Sequence, residues 1–86
     1  MKTQEALLDS SNKLQFTDKY DIMYCVETVN DRVGEFKIEF EAWRDCSCFQ
    51  HEFFDSVAAF ENFCKAENIN IDDFRLYDPE TDEYID

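Results

Sequence analysis

The sequence predicts an α+β domain, a small antiparallel sheet of four or five strands with one main helix packed on one face. Three observations predict it. In "EFKIEFEAW", residues 35–43, Phe36, Ile38, Phe40 and Ala42 alternate with Lys37, Glu39, Glu41 and Trp43, the period of two that marks a strand with one buried face. From Asp55 the period becomes helical, with Val57, Phe60, Phe63 and Cys64 on one stripe. The chain contains one Gly and one Pro, so its tight turns fall to Asn and Asp, whose side chains bond the local backbone and tolerate left-handed conformations.

Taken in order, "TQEALLDS" suits a short helix with Thr3 as N-cap, but fewer than three turns are marginal without tertiary support. Residues 1–19 are therefore expected to be a loosely attached segment of one small acidic domain spanning 1–86. "DIMYCVETV" places Ile22, Tyr24 and Val26 on one face, and "NDRVG" joins it to "EFKIEFEAW" as a hairpin with a slightly long loop. "CSCFQHEFF", residues 46–54, follows after only "RD" and reads as a third antiparallel strand or a bent continuation. The helix is expected over about residues 56–67, with Asp55 or Ser56 as N-cap and Asn68 ending it in a left-handed conformation. "DFRLYD" is again β-like, "DPETD" has Pro79 where a type I turn accepts it and Asp82 where a left-handed residue closes the loop, and "EYID" is the returning strand.

Apolar residues make up 44% of the 86 positions and aromatics 16%, which excludes a disordered chain because such chains lack these core formers. The formal charge of −13 is graded, with net values of 0, −5 and −8 over residues 1–20, 21–54 and 55–86. Self-repulsion on this scale costs stability while keeping a protein soluble, so it invites a functional explanation. "MKTQEALLDSSNKLQF" has no apolar run suited to a signal peptide or a membrane span, and the expectation is a cytoplasmic protein with no membrane partner. Cys25, Cys46, Cys48 and Cys64 are then expected as thiols, since cytosolic conditions keep cysteines reduced and no paired C-x-x-C framework is present.

Three chemical sites match these residues in part. Asp78, Glu80 and Asp82 fall at the first, third and fifth positions of an EF-hand-type calcium loop, but Glu83 stands where that loop needs Gly and the twelfth position lies past Asp86. Cys46, Cys48, His51 and either Cys25 or Cys64 have the donor types of a zinc site without its spacing. A Cys paired with His51 lacks any Gly-rich turn to form an oxyanion loop. The expectation is a non-enzymatic protein with no cofactor and no metal.

Negative charge is the remaining signal. Along an extended strand, residues i and i+2 project from one face about 6.6 Å apart, comparable to the spacing of successive phosphates on a nucleic-acid strand. Glu39 and Glu41 stand in that relation, with Glu35 beyond them and Glu27 and Asp21 on the neighbouring strand, while Asp78, Glu80, Asp82 and Glu83 crowd the last turn. An open sheet face plus one edge then forms a nearly continuous anionic surface. Trp43 lies on the polar face of its strand, and an exposed aromatic inside an acidic rim has the character of an interface anchor.

Such a surface suits a basic protein rather than nucleic acid itself. In size and charge the chain is similar to the small acidic inhibitors of phages and mobile elements, the anti-CRISPR and anti-restriction proteins that act as DNA mimics, and to immunity proteins that neutralise nuclease toxins. This similarity implies an inhibitor that occupies the nucleic-acid site of a basic protein, a defence nuclease complex above all, in the cytoplasm of an infected host. Glu27, Glu35, Glu39, Glu41, Trp43, Asp78, Glu80, Asp82 and Glu83 are the expected partner-binding residues. The alternatives are an immunity or antitoxin partner that uses Trp43 and apolar neighbours, and a small Cys-based metal or thiol protein. Both a monomer and a homodimer are compatible with the sequence.

Overall fold

Short alternations of apolar and polar residues build most of this molecule, whose computed structural model describes residues 13–30, 33–78 and 80–84. The strands are β1 (Lys13–Thr17), β2 (Met23–Asn30), β3 (Phe36–Arg44), β4 (Ser47–Phe54), β5 (Arg75–Asp78) and β6 (Glu83–Tyr84). Helix α1 (Val57–Ala66) and a 3₁₀ turn (Ile71–Asp73) lie between β4 and β5. The strands form one antiparallel sheet in the order β4-β3-β2-β1-β5-β6. The expected α+β class and its single main helix are present, with six strands among the described residues rather than four or five.

The strand missing from the sequence reading is β1. Residues 13–17 lie inside the stretch expected to be loosely attached, yet they pair with β2 on one side and β5 on the other. "KLQFT" carries only Leu14 and Phe16 as inward residues, too few to signal a strand alone; ladder bonds from two neighbours decide its conformation. The helix expected from Thr3 lies outside the described residues.

Register follows the alternation. Leu14 faces Val26, Val26 faces Phe40, Thr28 faces Ile38 and Ile38 faces Phe54, all on one side of the sheet. The helix covers this side with Phe60 and Cys64, and Phe74 closes one end, so the core consists of Leu14, Val26, Ile38, Phe40, Ala42, Phe60, Cys64 and Phe74. Phe40 is its centre, with ring centroids 5.9 Å from Tyr24, 6.1 Å from Phe60 and 5.1 Å from Phe63. Each buried aromatic of this kind removes about 150–250 Å² from water, which is the main stabilisation available to so small a chain.

Connections use polar side chains where glycine is scarce. Asp18 Oδ1 accepts from the backbone N–H groups of Tyr20 (2.8 Å) and Ile22 (3.0 Å), and this fixes the loop from β1 to β2. Asp45 and Cys46 both have positive φ (51° and 65°) between the paired Arg44 and Ser47, the two-residue hairpin geometry whose twist matches the strands. Ser56 caps α1 by accepting from Ala59 N–H at 3.1 Å. At the other end Asn68 is left-handed (φ 58°), Ile69 N–H reaches Cys64 O at 2.8 Å and Asn68 N–H reaches Lys65 O at 3.4 Å, a Schellman closure. Lys37 bonds Asp55 and ties β3 to the start of the helix. Ser56 and Asn68 therefore act as expected.

In the last turn, Asp78 Oδ1 accepts from Glu80 N–H at 2.9 Å, Asp82 N–H reaches Asp78 O at 2.8 Å and Asp82 is left-handed at φ 59°. Asp82 closes the loop as its position suggested; Pro79 lies outside the described residues. Among the described residues no helix is long and apolar enough to cross a membrane.

Candidate functional site

The helix covers one side of the sheet and leaves the other side to the outward half of each alternation. Reading across strands from β4, one row on this open face runs Phe53, Glu39, Glu27, Lys13, Tyr77 and Tyr84. The next runs His51, Glu41, Cys25, Gln15 and Arg75, and a third runs Cys48, Trp43, Met23 and Thr17. The pairing brings Glu27, Glu39 and Glu41 together as a cluster on β2 and β3.

Glu27 stands directly opposite Glu39, and like charges in that relation destabilise a sheet because their Cβ atoms are only about 5 Å apart. Lys13 and His51 flank the cluster. Lys13 lies beyond Glu27 on β1, and His51 Nε2 sits 2.7 Å from Glu39 Oε2 on β4. Burial pushes the Glu27 carboxyl above its ordinary value; Lys13 opposes the shift, while hydrogen bonding and repulsion from Glu39 and the charge of Glu41 add to it. The cluster is thus crowded with negative charge that Lys13 does not fully offset.

The remaining expected residues are placed elsewhere. Glu35 is exposed in the loop before β3. Asp78, Glu80, Asp82 and Glu83 form the turn between β5 and β6, three strand spacings or about 14 Å from β3. Lys13, Gln15 and Arg75 lie between, and Arg75 sits 4.3 Å from the Tyr84 ring centroid. The expected continuous anionic surface is therefore two acidic groups separated by a strip bearing cations, because the unforeseen β1 inserts Lys13 between β2 and β5.

Trp43 faces Met23 on β2 and Cys48 on β4, and with Asp21, Met23, Arg44, Asp45 and Cys46 it lines a shallow depression of about 320 Å³. It is half-buried rather than exposed, since strands flank it on both sides. Asp21 lies outside β2 with a left-handed backbone at φ 63° and faces this depression, not the Glu27 cluster.

Cysteine placement bears on the thiol and metal readings. Cys64 is in the core under the helix and Cys25 is buried on the opposite side of the sheet, while Cys46 and Cys48 are exposed at the hairpin between β3 and β4. The sheet itself separates Cys64 from the other potential ligands, and among the described residues no three His, Cys, Asp or Glu side chains converge as a metal-ligand set. Burial raises the Cys25 thiol to about 11, with Glu41 adding to the effect, and raises Cys64 to about 12. Both remain neutral thiols, unsuited to nucleophilic work.

Sequence reasoning missed His51 and Lys13 as members of the acidic face. His51 was not recoverable from the two-residue turn at Asp45 and Cys46, which alone would set Gln50 opposite Glu41; the register shift at Ala42/Trp43 carries His51 alongside Glu39 and Glu41. Nor was Lys13, since its neighbours follow from a long-range pairing. Comparison with protein-family models, with curated proteins and with solved structures returned no match.

Proposed function

We propose that this protein is a small acidic inhibitor without catalytic activity, which docks the open face of its sheet on the nucleic-acid-binding surface of a basic protein. The observation that carries this reading is the cluster on β2 and β3. Glu27 opposes Glu39, and Glu41 lies one residue pair further along β3. The sheet holds this arrangement against its own repulsion. A partner that supplies Lys or Arg side chains relieves that repulsion on binding, so the complex gains from a strain the free protein carries. Adjacent strands about 4.8 Å apart and side chains about 6.6 Å apart along a strand present carboxylates at a spacing that a phosphate-binding surface accepts. A defence nuclease complex is the proposed target class.

The acidic turn, with Glu80 and Glu83 exposed, is a second charged group at the far edge of the sheet, where the paired Asp78 and Glu83 lie on the helix side. It contributes chiefly to the rate of encounter, as rim charges do. The test uses two charge-reversed proteins, Glu39→Lys with Glu41→Lys on the face and Glu80→Lys with Glu83→Lys on the turn. Immobilised wild-type protein captures nucleic-acid-binding proteins from a cell lysate at low salt, and both added DNA and moderate salt displace them. The face variant loses this capture with its circular dichroism spectrum unchanged; capture that ignores the face variant, DNA and salt refutes the proposal.

A second reading, an immunity or antitoxin partner, is supported by the depression beside Trp43 and Met23. Under it Trp43→Ala weakens capture more than any pair of charge changes, because buried aromatic anchors dominate such interfaces.

A further inference from the structure

The longer edge of the sheet carries little charge. Strand β4 forms one edge, is eight residues long, and among the described residues nothing pairs with its outer side. The opposite edge, β6, has two residues. Exposed edges are usually guarded by Lys, Pro, inward charges or brevity. From Cys46 to Phe54 the sequence has no Lys, Arg or Pro, and Glu52 is its single carboxylate in a chain of formal charge −13. Two large apolar side chains stand out along it, Phe49 at 56% and Phe53 at 57% exposure. One guard is present: the β3–β4 register shifts at Ala42/Trp43 and skips Phe49, but the pairing is regular from Gln50 to Phe54.

We infer that β4 is a self-association edge, on which a second copy of this chain pairs antiparallel to form a continuous sheet across a two-fold axis. Charge selects this occupant. A basic partner is drawn to Glu27, Glu39 and Glu41 or to the last turn rather than to this near-neutral strand, whereas two copies of an acidic chain meet with least repulsion along it.

Self-complementary pairs favour one register. Directly opposed residues share a face, so the axis runs midway between one β4 residue and its own copy, and centring it on Glu52 would oppose two carboxylates. Centring on His51 places the Gln50 amide against Glu52 of the second copy, twice. It also brings Phe49 alongside Phe53 of the second copy, twice. Each central His51 is already held by Glu39 of its own chain at 2.7 Å. The axis is perpendicular to the sheet, and the two open faces lie on the same side. Their β3 strands are three spacings apart, about 14 Å.

Sedimentation equilibrium over a micromolar to millimolar series, in moderate salt to screen the net charge, is expected to show a species of twice the 10.3 kDa chain mass. Phe53→Lys raises the dissociation constant about tenfold, since one substitution removes two symmetric aromatic pairs. Because the added cation lowers the overall repulsion, loss of the dimer reports the edge and not the net charge. Register is read separately in a Cys46→Ser, Cys48→Ser background: His51→Cys crosslinks the dimer on mild oxidation, because opposed Cα atoms about 4.5–5.5 Å apart lie within disulfide range, while Phe54→Cys does not. A monomer at every concentration overturns the inference, as does a dimer indifferent to Phe53→Lys or one that crosslinks through position 54 and not 51.

Discussion

Replacing Glu27 by Gln removes one charge from the most crowded point of the open face without changing its size, and the protein is expected to become more stable. Glu27 and Glu39 are directly opposed across β2 and β3. Two unit charges about 5 Å apart repel by roughly 3 kcal/mol at an effective dielectric near 20. Lys13 on β1 opposes this, and Glu27 is only half-buried, so solvent screening reduces both terms. The net relief falls within the range measured for cross-strand pairs, about 0.5 kcal/mol, which raises the melting temperature of a domain this size by roughly 2–4 °C.

The effect depends on pH with a defined sign. Because folding raises the Glu27 pKa above its ordinary 4.5, the folded state takes up this proton first as pH falls. The stability linked to Glu27 is complete below 4.5 and is lost as pH rises through the folded value. Thermal denaturation followed by circular dichroism should therefore show the Gln variant ahead at neutral pH, with its lead vanishing in acid. A variant no more stable than wild type at neutral pH, or one with the same lead at both, refutes the account. A gain in stability from so small a change also bears on function, since residues kept at a cost to the fold are commonly those that bind.

Three other outcomes are expected. Phe40→Ala leaves a cavity at the centre of the aromatic core and costs about 3–5 kcal/mol, a large part of the stability of any chain this short; urea denaturation should show the variant largely unfolded at physiological temperature. Asp45→Asn with Cys46→Gly places the preferred pair at a turn whose two central residues both have positive φ, and chemical denaturation should register a gain of about 0.5–1 kcal/mol. Titration with a chromogenic disulfide should label exposed Cys46 and Cys48 rapidly and reach buried Cys25 and Cys64 only on unfolding.

Local chemistry made much of this fold legible. The alternation of β3, the change of period at α1, the Ser56 and Asn68 caps and the left-handed Asp82 all depend on residues within a few positions of one another. Backbone sterics and short-range hydrogen bonds set these features, and both act locally. The membership of the acidic cluster was legible for the same reason, because β2 and β3 are consecutive strands of one hairpin and alternation alone puts Glu27, Glu39 and Glu41 on its polar face.

Long-range pairing settled the rest. Nothing in "KLQFT" announces a central strand, and only the ladders to β2 and β5 make it one. That placement puts Lys13 between the cluster and the acidic last turn, divides the negative surface in two and leaves β4 on an open edge. The residues themselves specified charge, periodicity and caps, which are properties of single side chains and near neighbours. Which strands adjoin, and so which charges meet, follows from contacts between segments some 60 residues apart, such as Leu14 with Leu76. Those contacts form only when the whole core closes and offsets the entropy of bringing them together.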